Sequence, residues 1–342
     1  MLKSRIGLAL SGGGIRASIF HLGVLQYLAE GSYFSNIASI SSVSGASLAM
    51  GVIFAANGNR WPTADEYVGH VQPKVRQIIL HNNLQQTALR RLPFYPNYWL
   101  NKVRLLAQVL EDKWGISGNL QDLPLFPHWE INCTTFETGK YFRFRKDYMG
   151  DPDIGYVQQP KLPISHMIAA SAAFPVLIGP YILETDGMSF TPDKHGMKPE
   201  KTVNSKYTLW DGGVYDNLGL EALYKTGRGL DHEIDFLIVS NAGADITHQL
   251  RKRNFSVANL KRLLDISGNQ VDCLRSEQVN AAIISKHRGL YLKMEMDYPT
   301  TLNSPSAGDF DRIFQHGYEV ASANAAYLEA KPWDSVPNPA NF

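Results

Sequence analysis

The chain has 342 residues, of which 44% are hydrophobic and 19% are charged. This composition is typical of a folded globular protein and excludes a disordered or fibrous chain. With 33 Lys and Arg residues against 32 Asp and Glu residues, the net charge is +1, so the chain lacks the basic excess of most nucleic-acid-binding proteins. We therefore expect no nucleic-acid partner. Two cysteines, Cys133 and Cys273, cannot form a disulfide framework and fit a reducing compartment.

The first part of the chain predicts the same strand–turn–helix unit twice. Residues 6–10 form a short apolar run, and three consecutive glycines follow at 12–14. Apolar residues then recur every three or four positions between 15 and 28, which indicates a helix. Residues 37–54 repeat this order, with a serine-rich turn between strand and helix. Two such units in succession predict a parallel sheet with right-handed crossovers.

Later segments continue this α/β pattern. Apolar and β-branched runs predict strands at 129–134, 141–144, 207–210 and 236–240, and apolar periodicity predicts helices at 164–173, 218–223 and 319–330. Residues 63–115 differ because they are helical, basic and aromatic, and we interpret them as an insertion or cap over the sheet. No linker rich in Pro, Gly or Ser divides the chain, so we predict one domain over residues 1–342.

The glycine turn is a candidate anion site. Successive glycines between a strand and a helix let main-chain N–H groups face one concavity, to which the helix N-terminus adds positive potential. Gly12, Gly14 and Ala17 also satisfy the dinucleotide fingerprint G-x-G-x-x-G/A, which makes an NAD(P)-dependent oxidoreductase one alternative. That function needs a carboxylate at the end of the second strand, where the chain has Ser41 and Ser42.

The serine-rich turn and a later aspartate supply the residues of acyl transfer. Ser44 lies at a sharp strand-to-helix turn between small neighbours, as in a nucleophile elbow. Taken alone this signal is weak, because a serine-rich turn is more often a helix cap, here by Ser44 or Ser47. Asp211 follows another buried strand and precedes two glycines. Because the carboxyl ends of parallel strands meet in one crevice, we expect Ser44 and Asp211 to lie together beside the glycine turn.

Five segments in this order resemble the motifs of patatin-like phospholipases. Three of them carry chemistry, namely Leu10–Arg16, Ser42–Ala46 and Asp211–Gly213. Asn132–Gly139 is similar to the central strand and turn of that family, and Ala170–Pro175 to its helix-then-proline motif. Ser42 stands where the usual elbow has its first glycine. The resemblance spans roughly residues 5 to 330.

The resemblance implies a patatin-like three-layer α/β fold, with a central mostly parallel sheet flanked by helices. It also implies a Ser-Asp dyad in which Ser44 is the nucleophile and Asp211 the general base. The N–H groups of Gly12, Gly13 and Gly14 would form the oxyanion hole, and Arg16 would support that loop or a substrate phosphate.

No histidine is needed in such a dyad. His21 and His166 lie on predicted helices and are interpreted as packing or capping residues, while a triad using one of them remains an alternative. The resemblance implies no cofactor, and no Cys/His set has the spacing of metal ligands, so we predict no metal.

The expected function is the hydrolysis of acyl esters in phospholipids or related lipids. No secretory signal opens the chain, and we expect a cytoplasmic enzyme that contacts membranes peripherally. The basic and aromatic part of 63–115 would suit a membrane surface or an ordinary helical cap equally well. A non-catalytic lipid-binding module is a second alternative, and control by an activating ligand or by oligomerisation is a hypothesis.

Overall fold

The computed structural model describes residues 4–31, 33–94, 101–175, 178–195, 203–244 and 257–324. Its main sheet has ten strands, and a separate two-stranded sheet is formed by β9 (Tyr224–Lys225) and β10 (Gly229–Leu230). The strands of the main sheet are β1 (Ile6–Leu10), β2 (Ile37–Val43), β3 (His128–Thr135), β4 (Tyr141–Phe144), β5 (Tyr148–Asp151), β6 (Gly155–Gln158), β7 (Tyr181–Glu184), β8 (Lys206–Asp211), β11 (Phe236–Asn241) and β12 (Gly289–Lys293).

The helices lie mostly between parallel strands or in the segment before β3. They are α1 (Gly14–Glu30), α2 (Gly45–Ala56), α3 (Ala64–Glu66), α4 (Gln72–His81), α5 (Leu84–Arg91), α6 (Lys102–Trp114), α7 (Ile164–Ser171), α8 (Gly213–Asp216), α9 (Val257–Ala282) and α10 (Ala307–Ala323). A π-helical turn, Tyr67–Val71, joins α3 to α4. None of the described helices is both long enough and apolar enough to cross a membrane.

The parallel half of the sheet confirms the predicted fold class. Strands β12, β11, β1, β2 and β3 lie side by side and parallel. Successive residues of β1 face opposite sides of the sheet. Leu8 belongs to the larger of two groups of buried side chains, and Ala9 belongs to the smaller one. The larger group includes side chains of α1, α2 and α10, and the smaller includes residues 218–224 and the end of α9. The sheet is therefore covered on both faces, in three layers.

The other half of the sheet is antiparallel, which corrects one step of the sequence argument. Strand β8 runs antiparallel to β3, with Asp211 opposite Cys133, whereas β2 runs parallel to β3, with Val43 opposite Asn132. Asp211 therefore does not reach Ser44 as the end of a parallel strand. Instead, β2 and β8 pair with successive stretches of β3 and run toward each other, so their carboxyl ends meet.

The described parts of the predicted insertion, residues 63–94 and 101–115, are largely helical and pack into the larger core. Helix α4 contacts α2, and α6 contacts α7. Ile79, Leu110 and Trp114 are buried in the same group of side chains as α1 and α2. The aromatic residues between 95 and 100, on which the prediction of a membrane-facing surface partly depended, lie outside the described residues.

Two other helix predictions differ from the structure. Residues 218–223 form turns rather than a helix, because the carboxylate of Asp216 accepts the Glu221 amide at 2.8 Å. The closing helix α10 begins at Ala307 rather than at 319. Ser306 caps its N-terminus by accepting a hydrogen bond from the Asp309 amide. The predicted continuation over 325–330 lies outside the described residues.

Helices α1 and α10 approach closely through two glycines. A Cβ atom on Gly23 would overlap the carbonyl oxygen of Phe314, and one on Gly317 would overlap that of Phe20. These obstacles are backbone atoms, so the helices would have to separate to accept even a methyl group. The contact therefore fixes α1, whose first residue, Gly14, is the last glycine of the glycine turn.

We predict that Gly23→Ala lowers the free energy of unfolding by about 1–3 kcal/mol, because the added methyl group forces α1 and α10 apart. Gly308→Ala is the matched control on α10, since its Cβ would have no heavy atom within 4 Å. The control should leave stability unchanged or raise it by up to about 1 kcal/mol. Chemical denaturation measures both, and equal stabilities for the two variants would contradict the close approach.

Candidate active site

Ser44 lies on the turn between β2 and α2 in a strained backbone conformation. Its φ is 51° and its ψ is −113°, which a residue with a side chain rarely adopts. The side chain of Ser44 accepts no hydrogen bond as a helix cap, so the capping alternative is not supported. The next residue must be small, because a Cβ on Gly45 would overlap the carbonyl oxygen of Gly14. The elbow therefore packs directly on the glycine turn.

A row of buried hydroxyl groups supports the turn at Ser44 through hydrogen bonds. The Ser44 amide donates to the Ser171 hydroxyl at 3.0 Å, and the Ser171 and Ser47 hydroxyls are 2.9 Å apart. The row continues from Ser47 to Ser42 at 2.9 Å, and the Trp129 indole N–H donates to Ser42 at 2.8 Å. A main-chain amide and an indole N–H can only donate hydrogen bonds. The Ser171 hydroxyl therefore accepts a hydrogen bond at one end of the row, and the Ser42 hydroxyl accepts one at the other end.

Asp211 is buried, with only 2% of its surface exposed. Its Oδ1 accepts the Gly213 amide at 2.8 Å, while Oδ2 has no hydrogen-bond partner among the described residues. Burial raises the pKa of Asp211 to about 6, an effect that the Gly213 amide and the Ser44 side chain partly oppose. The two side chains thus interact, although they are not joined by a hydrogen bond of ordinary length and angle. Such bonds are often long before substrate binds.

The glycine turn lies against the elbow. A Cβ on Gly12 would lie 3.2 Å from the Cβ of Ser44. Gly13 and Gly14 have φ angles of 144° and 64°, and within the described residues their N–H groups have no acceptor. The Gly12 amide, in contrast, donates to the carbonyl of Asn217 at 3.1 Å. Among the described residues, two of the three glycine amides therefore have no acceptor.

Arg16 and His21 support this turn from the protein side. The Arg16 guanidinium is buried and donates to the carbonyls of Ala242 at 2.5 Å and Tyr298 at 3.0 Å. His21 lies 2.9 Å from the Ser11 carbonyl and 2.8 Å from the Ser240 hydroxyl. Burial lowers the pKa of His21 to about 4, against the effect of the Ser11 hydrogen bond, so the ring is neutral at pH 7.

His166 contacts a tyrosine rather than Ser44 or Asp211. Its ring is 3.2 Å from the Tyr181 hydroxyl and makes no hydrogen bond to Ser44 or Asp211. This arrangement gives no support to a Ser-His-Asp triad. Among the described residues, no group of three His, Cys, Asp or Glu side chains is placed to hold a metal ion.

The dinucleotide alternative meets an obstacle at the start of α1. The carbonyl oxygen of Thr301 accepts the Ile15 amide at 2.9 Å and lies against Gly14. The pyrophosphate of a dinucleotide would need this helix terminus. In addition, β2 ends at Val43 without a carboxylate that could bind the ribose.

Sequence reasoning missed two residues that build the site. Ser171 belongs to a motif that the sequence analysis identified, but its hydrogen bond to Ser44 is visible only in the structure. Asn217 acts through its backbone carbonyl, and its side chain donates to Asp272 at 3.1 Å. A carbonyl is common to every residue, so no sequence signal could have revealed that contact.

Comparison with known proteins decides the family. The model of the family described as "Patatin-like phospholipase" matches residues 8–224, which include Ser44, Asp211 and the glycine turn. The chain belongs to the patatin-like phospholipase family. No curated protein sequence matches it significantly. Strands β11 and β12 and helices α9 and α10 lie beyond the residues matched by the patatin-like model.

Two solved structures are similar at low sequence identity. Human GIVD cytosolic phospholipase A2 is 13% identical with a TM-score of 0.45, over 69% of this chain and 45% of the human one. VipD from Legionella pneumophila is 17% identical with a TM-score of 0.45, over 96% of this chain and 67% of VipD. The chain thus covers less than half the length of the human structure that it matches.

We predict that Ser171→Ala slows the reaction of Ser44 with a fluorophosphonate probe by about tenfold or more, because the elbow amide loses its acceptor. A buried donor without a partner also costs about 1–3 kcal/mol of stability. Ser165→Ala is the matched control, since this buried serine lies on the same helix and donates to Glu111 at 2.6 Å. The control should lose similar stability but label at the wild-type rate. Equal labelling of both variants would show that Ser171 is only structural.

Proposed function

We propose that the protein is a lipid acyl hydrolase that cleaves carboxylic esters of phospholipids with a Ser44–Asp211 dyad. The observation that carries this proposal is the meeting of β2 and β8 on successive residues of β3, because it brings Ser44 and Asp211 together. The glycine turn adjoins the same point, since a Cβ on Gly12 would lie 3.2 Å from the Cβ of Ser44, and the Gly13 and Gly14 amides have no acceptor among the described residues. Membership of the patatin-like phospholipase family supports the substrate class.

In the first half-reaction, Asp211 accepts the proton of the Ser44 hydroxyl while Oγ attacks the ester carbonyl. The carbonyl oxygen becomes an oxyanion, and the N–H groups of Gly13 and Gly14 donate to it. The intermediate then collapses to an acyl-Ser44 ester. The departing alkoxide takes the proton from Asp211 and leaves as the lysolipid or alcohol.

In the second half-reaction, water replaces the departed alcohol. Asp211 accepts a proton from this water, which attacks the acyl-Ser44 carbonyl beside the same two amides. Collapse of the second oxyanion breaks the bond to Oγ, which regains its proton from Asp211. A fatty acid is released and the free dyad is restored.

The burial of Asp211 makes its carboxylate a stronger base for this reaction. A carboxylate at its ordinary pKa near 4 is a weak base toward a hydroxyl group. Desolvation raises the pKa of Asp211 to about 6, which increases its basicity while leaving it largely ionised at pH 7. The unpartnered Oδ2 is the oxygen available to accept the proton.

The geometry refines two of the predicted roles. Gly12 is better suited to support the loop than to donate to the oxyanion, because Asn217 already takes its amide. The guanidinium of Arg16 donates to two main-chain carbonyls, which favours loop support over binding of a substrate phosphate.

We predict that Ser44→Ala abolishes fluorophosphonate labelling and lowers fatty-acid release from mixed phospholipid vesicles by at least about 10³-fold, since the nucleophile is lost. Asp211→Asn should lower both by a similar factor, and Ser165→Ala again serves as the control. Labelling that persists in Ser44→Ala would reject the nucleophile. A folded wild-type protein that binds vesicles without labelling or turnover would favour the non-catalytic lipid-binding alternative.

We predict that kcat/KM for a soluble ester rises with pH around a midpoint near 6. Asp211 must be deprotonated to act as a base, and its raised pKa means that protonation removes activity as the pH falls through 6. Activity at pH 5 should be about tenfold below the plateau. Circular dichroism at each pH controls for unfolding. A flat profile between pH 5 and 7.5 would contradict the assignment of Asp211 as the base.

A further inference from the structure

Helix α9 carries an unusual share of the exposed apolar surface. In the part of the chain that the structure describes, twelve large hydrophobic side chains are exposed, and half of them lie on this helix. They are Leu260, Leu263, Leu264, Ile266, Val271 and Leu274. Leu263 and Leu274 are 62% and 59% exposed. A concentration of this kind marks a surface that meets an apolar partner.

Most of these side chains form a single stripe. Leu260, Leu263, Leu264, Val271 and Leu274 are spaced by three, four or seven positions, apart from the adjacent pair 263 and 264, and so share one side of the helix. At a rise of about 1.5 Å per residue, the stripe from Leu260 to Leu274 is about 21 Å long.

A neighbouring side of α9 is polar and faces the protein. Asp272 accepts a hydrogen bond from Asn217 at 3.1 Å, and the Ser276 hydroxyl lies 2.8 Å from that of Tyr291. Arg275 lies 3.5 Å from Asp216 and 3.4 Å from Glu221. An ordinary surface helix turns its apolar side to the core, so α9 has the reverse orientation over this stretch. Polar contacts anchor the helix and leave its leucines pointing outward.

Cationic side chains border the outer stripe. Val271 and Leu274 line a surface groove of about 570 Å³ together with Lys225, Arg228, Arg275 and Glu221. Glu221 is the only carboxylate in this lining, and it already pairs with Lys225 at 3.8 Å and Arg275 at 3.4 Å. Arg228 is exposed and forms no ion pair within the described ranges. The groove therefore has a cationic excess next to an apolar stripe.

We propose that α9 and the β9–β10 hairpin form the surface that the protein lays on an anionic lipid membrane. The leucines of α9 enter the boundary between headgroups and acyl chains, while Lys225 and Arg228 meet lipid phosphates. Pairing of this face with itself in a two-fold dimer would bring the cations of two copies together, whereas anionic headgroups neutralise them. The charge pattern thus favours a membrane over a second copy.

The surface also lies next to the candidate active site. Helix α8 begins two residues after Asp211 and contacts α9. Val214 on α8 is 49% exposed, so α8 also carries an exposed apolar side chain. Here the inference rests on the proposed function, since it names the surface at which the enzyme meets its substrate. Binding to the membrane is testable without turnover.

The test is vesicle flotation with phosphatidylcholine vesicles and with vesicles containing about one third phosphatidylserine. Wild type should bind the anionic vesicles more strongly. Leu263→Ser/Leu274→Ser should weaken binding at least tenfold, because two leucines no longer enter the apolar boundary. Arg228→Glu should weaken binding about tenfold to the anionic vesicles only. Leu125→Ser, a control at a 54% exposed leucine elsewhere, should bind like wild type.

A further variant tests the competing surface. Leu89 on α5 is 60% exposed and belongs to residues 63–115, the other candidate membrane surface. We expect Leu89→Ser to bind like wild type. If this variant loses binding while the double leucine variant keeps it, the proposal is overturned. Absence of vesicle binding by wild type, or equal binding of both vesicle types, also overturns it.

Two additional measurements separate the remaining explanations. Light scattering reports the oligomeric state. If wild type is a dimer, the double leucine variant is a monomer and neither protein binds vesicles, the stripe is a subunit interface instead. Hydrolysis of a short soluble ester should be unchanged in every α9 variant. If wild type binds vesicles as expected but hydrolyses no ester, the proposed function fails while the membrane surface stands.

Discussion

The candidate site depends on the pairing of two strands, β2 and β8, with the same edge of β3. Strand β2 occupies this edge up to Asn132, and β8 occupies it from Cys133 onward in the opposite direction. Both strands must end where they meet, and each leads into a tight turn beside a residue of the candidate site. Gly212 is part of this constraint, because a Cβ there would lie 2.5 Å from the Asn132 carbonyl oxygen. The distance between Ser44 and Asp211 is thus set by the sheet rather than by flexible loops.

This arrangement has an electrostatic cost. In the folded protein the pKa of Asp211 is about 6, against an ordinary value of 3.8. Ionisation of the buried carboxylate therefore costs about 3 kcal/mol of stability above pH 6, a penalty that disappears as the pH falls to 4. Ser44 adds backbone strain. The row of hydroxyls behind the elbow and the close contact of α1 with α10 offset these costs and keep both residues in place.

The sequence predicted the elements whose signals are local. Apolar runs and periodicities located β1, α1, β2 and α2, and the motifs predicted the residues of the candidate site. The direction of β8 could not be predicted, because it is set by pairing with β3, more than 60 residues earlier in the chain. Helix α9 was not among the predicted elements, and its orientation could not be predicted for a related reason. Its periodicity shows an apolar side, but only its contacts with Asn217 and Asp216 show that this side faces outward.

The glycine turn shows how much of the site lies beyond the residues that define the family. Three segments distant in sequence fix it through main-chain carbonyls: Asn217 takes the Gly12 amide, Thr301 takes the Ile15 amide, and Ala242 accepts from Arg16. Two of these carbonyls follow residue 224, where the family match ends. Asn217 is in turn held by Asp272 on α9. A continuous path of hydrogen bonds therefore joins the turn that adjoins Ser44 to the helix that carries the exposed leucines. Ala242, Asp272 and Thr301 therefore support the proposed site from beyond the family match, because their contacts help to hold the glycine turn in place.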